Sequence, residues 1–296
     1  MLNLHETIFV HRYTLKSHRP LNAVSGRCEF EGALIKIGDG VGCLHPWPEF
    51  GDLPLDRLLS ILQKGGNTGM IERTRVCCLL DGSARRLNRS EFTSFTSPAS
   101  HTYEPDPSRV VKVKCSGDVK KEADRIRTIA GRKLRLDFNG LLTMDQFRQF
   151  VRLLDDATSA RIDFVEDPFD ADQYWWDKVQ RETPFALASD RQPLAAHVNV
   201  LKPALDRLRT HHERVVFTSY LDHPIGQFFA AREAAAYYAA QPQQLEVCGL
   251  ATHVLFEPDE FLERMQTDAD GRLIPVGGSG FGFDDLLEKL PWERLH

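Results

Sequence analysis

The sequence predicts an α/β fold, a parallel eight-stranded barrel preceded by a small α+β unit. Three observations lead there. With 296 residues the chain is long enough for one barrel-sized domain and a modest companion, each with its own core. Beyond residue 88, short β-rich apolar runs alternate with helical stretches, the pattern of a parallel sheet with crossover helices. Before it, extended runs come first and helical spacing second, the order of an α+β unit.

Residues 6–16 and 27–37 favour extended structure, and the turn Gly38-Asp39-Gly40 joins the second run to 41–44 as a hairpin. Apolar residues recur at helical spacing over 53–62 and 71–87, which leaves Arg73, Arg75, Arg85 and Arg86 for solvent. Strand candidates follow at 110–114, 134–137, 162–166, 185–190, 198–202, 215–219 and 245–249. An initial strand within 91–101 makes eight, a number that suits a closed barrel better than an open sheet. Helices are expected at 120–131, 143–158, 203–209 and 226–240. The interval from Asp190 to Lys202 is so short that its helix must be vestigial.

Composition removes several functions. Lys plus Arg number 37 against 42 Asp plus Glu, a net charge of −5 with no basic run, so nucleic acid is not an expected partner. The cysteines, Cys28, Cys43, Cys77, Cys78, Cys115 and Cys248, form no CxxC pair and no zinc-type spacing with histidine; they read as reduced thiols of a cytoplasmic protein. Charges and histidines break the first twenty residues, which therefore lack the apolar core of a signal peptide. No stretch reaches the roughly 20 apolar residues of a membrane span, so no membrane partner is expected.

The chemistry lies in what ends the strand candidates. VKVK ends in Lys114, LRLDFN carries Asp137, DFVEDP carries Glu166, LASD ends in Asp190 and VNVLKP carries Lys202. Carboxyl ends of strands form the rim on which a parallel barrel builds its active site. Alternation puts Lys112 on the same face as Lys114, and Arg135 and Asn139 on the face of Asp137. Three carboxylates brought together repel one another unless a divalent cation neutralises them, and all-oxygen ligands favour Mg²⁺ first and Mn²⁺ second. Lysines on either side of such a site suit proton abstraction next to a carboxylate, because a cation on the carboxylate oxygens stabilises the enediolate. A lysine serves as that base only if its pKa falls toward neutrality.

The order Lys-x-Lys, Asp-x-Asn, Glu-Asp-Pro, Asp and Lys-Pro on successive strands resembles the enolase superfamily, in its muconate-lactonising subgroup, and within that the o-succinylbenzoate synthases. The resemblance covers most of the chain. It implies a modified TIM barrel, (β/α)7β, over 89–276, an α+β capping domain over 1–88 and a segment, 277–296, that returns toward the cap. It implies Lys114 as general base and then proton donor to the leaving hydroxyl, and Lys202 as stabiliser of the enediolate from the opposite face, through a cation–π contact with the ring. Asp137, Glu166 and Asp190 would be the metal ligands. Lys112, Arg135, Asn139, Ser219 and Gly249 would contact the small-molecule substrate, and residues 42–50 with the loop after Leu15 would close over it. The implied reaction is the syn dehydration of 2-succinyl-6-hydroxy-2,4-cyclohexadiene-1-carboxylate to 2-succinylbenzoate, a step of menaquinone biosynthesis.

Blander readings stand beside these. A lysine at a strand end is ordinarily solvated, Asp-Phe-Asn-Gly is good turn chemistry, and Glu166-Asp167-Pro168 could start a helix with Asp167 as cap. The ordered set outweighs them. Gly277-Gly278-Ser279-Gly280-Phe281-Gly282 lacks a Walker lysine and reads as a turn or backbone crossing. His211-His212, His223 and His253 have no second ligand at helical spacing and suit surface or capping roles, and Tyr174-Trp175-Trp176 is the apolar face of a short helix. Two other functions remain open at this level. Opposed lysines could racemise N-acylamino acids or epimerise dipeptides. A barrel with Arg191 as the counter-charge beside Asp190 could bind a ligand without catalysis.

Overall fold

Extended runs that become largely buried from the middle of the second strand onward set the amino-terminal sheet. β1 (Ile8–Lys16), β2 (Glu29–Ile37) and β3 (Gly40–Leu44) are antiparallel, and Glu293–Arg294 from the carboxyl terminus pairs with the free edge of β1. Gly38 supplies the positive φ of 58° that the hairpin turn requires. A computed structural model describes residues 7–21, 25–190, 194–205 and 214–296. Arg191, His211, His212 and the end of the expected helix 203–209 lie outside the described residues; 203–205 form a turn.

Two helices cover this sheet. α1 (Leu55–Gln63) buries Leu55, Leu58, Leu59 and Leu62, and α2 (Gly69–Arg86) is capped by Thr68, whose side chain accepts from the Ile71 amide. α2 lies almost on the backbone of β3: a Cβ at Gly40 would come within 1.9 Å of the Cys78 carbonyl oxygen. The expectation that Arg73 and Arg85 face solvent is corrected. Arg73 donates to the Pro203 carbonyl (2.8 Å) and pairs with Glu233 (2.6 Å), while Arg85 pairs with Asp81 (2.6 Å) and Asp284 (2.5 Å). Helical periodicity identifies the face turned to the sheet, but the opposite side of α2 is covered by a later helix, Pro224–Ala240, and by the carboxyl-terminal tail.

The remaining chain alternates strand and helix: β4 (Asp106–Lys114), α3 (Val119–Thr128), β5 (Gly131–Asp137), α4 (Met144–Leu153), α5 (Asp156–Arg161), β6 (Ile162–Glu166), α6 (Gln173–Glu182), β7 (Ala186–Ser189), β8 (Val198–Leu201), β9 (Val215–Phe217) and α7 (Pro224–Ala240). The single helix expected over 143–158 is two. Thr143 and Gln146 form a capping box at the start of α4, and Asp155 begins a second helix by accepting from the Thr158 amide. In α6 only Trp176 of the aromatic triplet is buried; Tyr174 is 67% exposed.

β4 to β9 form a parallel sheet in sequence order, and the two remaining strand candidates close it into a ring with single bridges rather than full ladders. Thr218 pairs with Gly249, Cys248 with Ser100, and Thr102 with Val111 of β4. The closing bonds include Gly249 N to Phe217 O (2.8 Å), His101 N to Cys248 O (2.8 Å) and Lys112 N to Thr102 O (2.8 Å). The strands expected within 91–101 and at 245–249 are thus present only as bridged residues. Between this first segment and β4 there is no helix.

Phe164, Ala188, Val198, Val200 and Val216 fill the barrel, and Leu134, Leu136, Phe147, Phe150, Trp176 and Val179 pack the helices onto its outside. Among the described residues no helix is long and apolar enough to cross a membrane, and all six cysteines are free thiols.

Candidate active site

Register sets the site. Lys114 pairs with Asp137 and Asp137 with Glu166, so these three residues form one row across β4, β5 and β6 at the strands' carboxyl ends. Asp190 and Lys202 stand just past the ends of β7 and β8. Alternation brings Lys112, Asp137, Glu166, Asp190 and Lys202 to the interior side, above the apolar residues that fill the barrel.

The cations and anions interlock. Lys112 Nζ donates to both oxygens of Glu166 (2.9 and 2.8 Å) and lies 2.9 Å from Asp137 Oδ2. Lys114 Nζ donates to Asp137 Oδ2 at 2.5 Å, and Lys202 Nζ sits 2.6 Å from Asp190 Oδ2. The Asn139 amide, in left-handed backbone (φ 51°), donates to Asp137 Oδ1 at 3.1 Å.

Three ammonium groups thus face three carboxylates, with a fourth, Asp167, beside Glu166 and Asp190, and the ionisations divide accordingly. Burial works against the charge of Asp137, but Lys112 and Lys114 outweigh it and hold the carboxyl well below its ordinary range. Burial likewise opposes Asp190, which Lys202 nevertheless brings down to about 2. Glu166 goes the other way: burial and the Asp137 charge push it up to about 7. Burial, Asp190 and Glu166 raise Asp167 well above the carboxylate range. Burial disfavours the charges of Lys112 and Lys202, yet their carboxylate partners raise both pKa values. Those two groups stay charged, a state suited to stabilising anions rather than taking up protons.

Asp167 is a residue that sequence reasoning did not bring into the site. The blander reading of it as a helix cap is not what the fold shows either: Asp167 is 6% exposed and α6 is capped by Asp172. Glu166, Asp167 and Asp190 each offer an oxygen within 4.8 Å of the others. Strand alternation would turn Asp167 away from Glu166, but β6 ends at Glu166 and the φ of 39° at Asp167 breaks the alternation. The signal was the adjacency of two acids before Pro168. An all-oxygen group with an excess of buried acid fits a hard divalent cation such as Mg²⁺.

Above these residues lies a cavity of about 790 Å³. Lys112, Lys114, Asp190 and Lys202 line it, as do Asn139, Ser219 and Gly249, while Asp137 and Glu166 lie behind the lysines. Ser219 and Thr252 hydroxyls are 2.7 Å apart, which adds Thr252 to the wall. A Cβ at Gly249 would approach the His101 ring to 2.6 Å, so the position admits only glycine without rearrangement. Arg135 does not line the cavity. It is 1% exposed, lies over the Phe164 ring, and bonds Asp163 (2.8 Å) and the Val247 carbonyl (2.6 Å). The expectation that it contacts substrate is corrected: alternation gave its face rightly, but its length and the acid below draw it to the barrel floor.

The cap contributes Trp47, Phe50 and Asp52 to the same cavity, with Arg19, Pro20 and Leu21 from the loop after β1. Of the other singled-out residues, His223 caps α7 by accepting from the Ile225 amide, and positive φ at Gly278, Gly280 and Gly282 makes 277–282 a backbone crossing.

Comparison with known proteins adds three findings. Residues 8–84 match a family described as "O-succinylbenzoate synthase, N-terminal domain". The whole chain is similar to an o-succinylbenzoate synthase of Bdellovibrio bacteriovorus, 32% identical over 96% of this chain and 97% of the relative. In fold it is similar to the L-Ala-D/L-Glu epimerase of Bacillus subtilis (TM-score 0.72, 16% identity, 93% of this chain and 97% of that one). It is equally close to a muconate lactonizing enzyme of Mycobacterium smegmatis (TM-score 0.73, 15% identity, 97% and 98%). At such identities the two structures speak to the fold.

Proposed function

Since the chain belongs to the o-succinylbenzoate synthase family and has the enolase-superfamily fold, we propose that it dehydrates 2-succinyl-6-hydroxy-2,4-cyclohexadiene-1-carboxylate to 2-succinylbenzoate, with Mg²⁺, in menaquinone biosynthesis. The observation that carries the reading is that Lys114 and Lys202 line one cavity, each paired with a buried acid.

Glu166 and Asp190 would hold the ion together with Asp137, and Asp167 stands close enough to support the set. Bound Mg²⁺ would supply positive charge to the substrate carboxylate, which lowers the barrier to losing its α-proton. Lys114 reaches into the cavity and is the most exposed of the three lysines, with 35% of its side chain accessible. In this reading it takes the α-proton, the bond from the ring to the departing hydroxyl breaks, and the same ammonium returns the proton so that water leaves. The ring gains its third double bond and becomes aromatic. Lys202 remains charged throughout and faces the negative charge that develops on the substrate. Ser219, Gly249 and Asn139 would position the substrate, and Lys112 would hold Asp137 and Glu166 in place. Six free thiols support the reducing interior of a cell as its compartment.

The test is the loss of diene absorbance on mixing purified protein with this substrate and Mg²⁺. Turnover that disappears on chelation and returns with Mg²⁺ is expected; no loss above background rejects the reading. Because both lysines reach one cavity, proton delivery to either face of an amino-acid derivative is a second reading. Solvent deuterium entering Cα of N-acylamino acids or dipeptides would reveal it.

A further inference from the structure

Resting on the dehydratase reading, we propose that Tyr220 is a positioning residue: its ring fixes the Lys202 ammonium, and its hydroxyl ties that placement to the seating of the cap. Tyr220 follows Ser219 in the loop from β9 to α7, is 5% exposed, and lies beside Leu221, whose φ of 53° marks a tightly constrained backbone. The Lys202 Nζ lies 5.5 Å from the Tyr220 ring centroid, within cation–π range.

Three hydrogen bonds close a loop between cap and barrel. Tyr220 Oη donates to Asp52 Oδ2 (2.7 Å), the Trp47 amide donates to the same oxygen (2.8 Å), and Trp47 Nε1 donates to the Tyr220 carbonyl (2.9 Å). Trp47 and Asp52 also line the cavity, so the contact that seats them carries on to Lys202.

The chemistry favours an aromatic hold. Asp190, which Lys202 also contacts, is an anion and one of the proposed metal ligands, so its charge is shared between two cations. A neutral ring orients the ammonium without cancelling its charge, which leaves that charge for the anion forming on the substrate. A tyrosine does this while its hydroxyl reports on the cap; phenylalanine does the first only, and an aliphatic residue neither.

The test compares Tyr220→Phe, Tyr220→Trp and Tyr220→Met, each checked for folding by near-ultraviolet circular dichroism. Tyr220→Met is expected to lower kcat at least about tenfold. Tyr220→Phe is expected to keep kcat within about threefold while raising KM and weakening 2-succinylbenzoate binding by about tenfold. Tyr220→Trp, which keeps a ring, should recover kcat relative to Tyr220→Met. A second readout needs no turnover: reductive methylation of Lys202, followed by mass spectrometry, should accelerate in Tyr220→Met and not in Tyr220→Phe. Equal kcat in the Phe and Met variants, or unchanged Lys202 labelling in Tyr220→Met, overturns the proposal. A wild-type protein without dehydratase activity rejects the functional reading alone, since labelling still decides the role of Tyr220.

Discussion

Lys112, Lys114 and Lys202 illustrate how neighbours assign work to identical side chains. Lys112 is 8% exposed and gripped by two carboxylates, whereas Lys114 has one carboxylate partner and an open path to the cavity. Replacing Lys114 by alanine should therefore cut kcat by at least about a hundredfold while Mg²⁺ affinity, read by calorimetry, changes little. Elsewhere, Asp222 lies buried beneath the cap with no hydrogen-bond partner for Oδ1 among the described residues, and burial pushes its pKa up to about 7. A carboxyl whose native pKa lies above its unfolded value contributes stability at low pH that is lost as pH rises from about 4 through 7. Relative to Asp222→Asn, the wild-type protein should lose roughly 4 kcal/mol between pH 4 and pH 8 in urea unfolding. At this scale the sequence disclosed the ordered acids and lysines because strand ends and alternation follow from local pattern. It did not disclose Asp167, whose position depends on one positive φ, or the descent of Arg135, which depends on a floor contributed by residues 163 and 247.

Between elements, α2 approaches β3 backbone to backbone. Gly40 and Gly42 both face α2 backbone, with a Cβ on Gly42 2.5 Å from the Thr74 carbonyl oxygen. Gly40→Ala should cost about 1–3 kcal/mol, measured as a lower urea midpoint with unchanged slope, because the helix must move off the strand. Most elements were legible where a single periodicity ran through them, as in α1, β2 or β6. The reading failed where a local device interrupts a pattern, as when Asp155 restarts a helix, and where pairing substitutes for length. Residues 245–249 have strand composition, yet only Cys248 and Gly249 are bridged, since their neighbours on either side supply just one partner each.

Across the molecule, the carboxyl-terminal tail locks cap to barrel. The Phe281 amide donates to Asp81 in α2 (2.7 Å), the Glu91 amide bonds the Gly280 carbonyl (2.9 Å), and Phe281 is 2% exposed within the core that contains α7. Phe281→Ala should destabilise by about 3–5 kcal/mol, and a single calorimetric transition in both proteins would show that cap and barrel unfold together. Sequence order gave no hint of this coupling, which joins positions 200 apart. The ring itself has one weak side. Where six neighbouring strands share ladders of two or more paired residues, the wall through residues 100–102 and 248–249 is stitched by isolated bridges. Amide protons along that stitching are the ones to exchange with deuterium ahead of the rest of the wall, so the vessel holding the reaction would part, when it parts, like a zip and from one side.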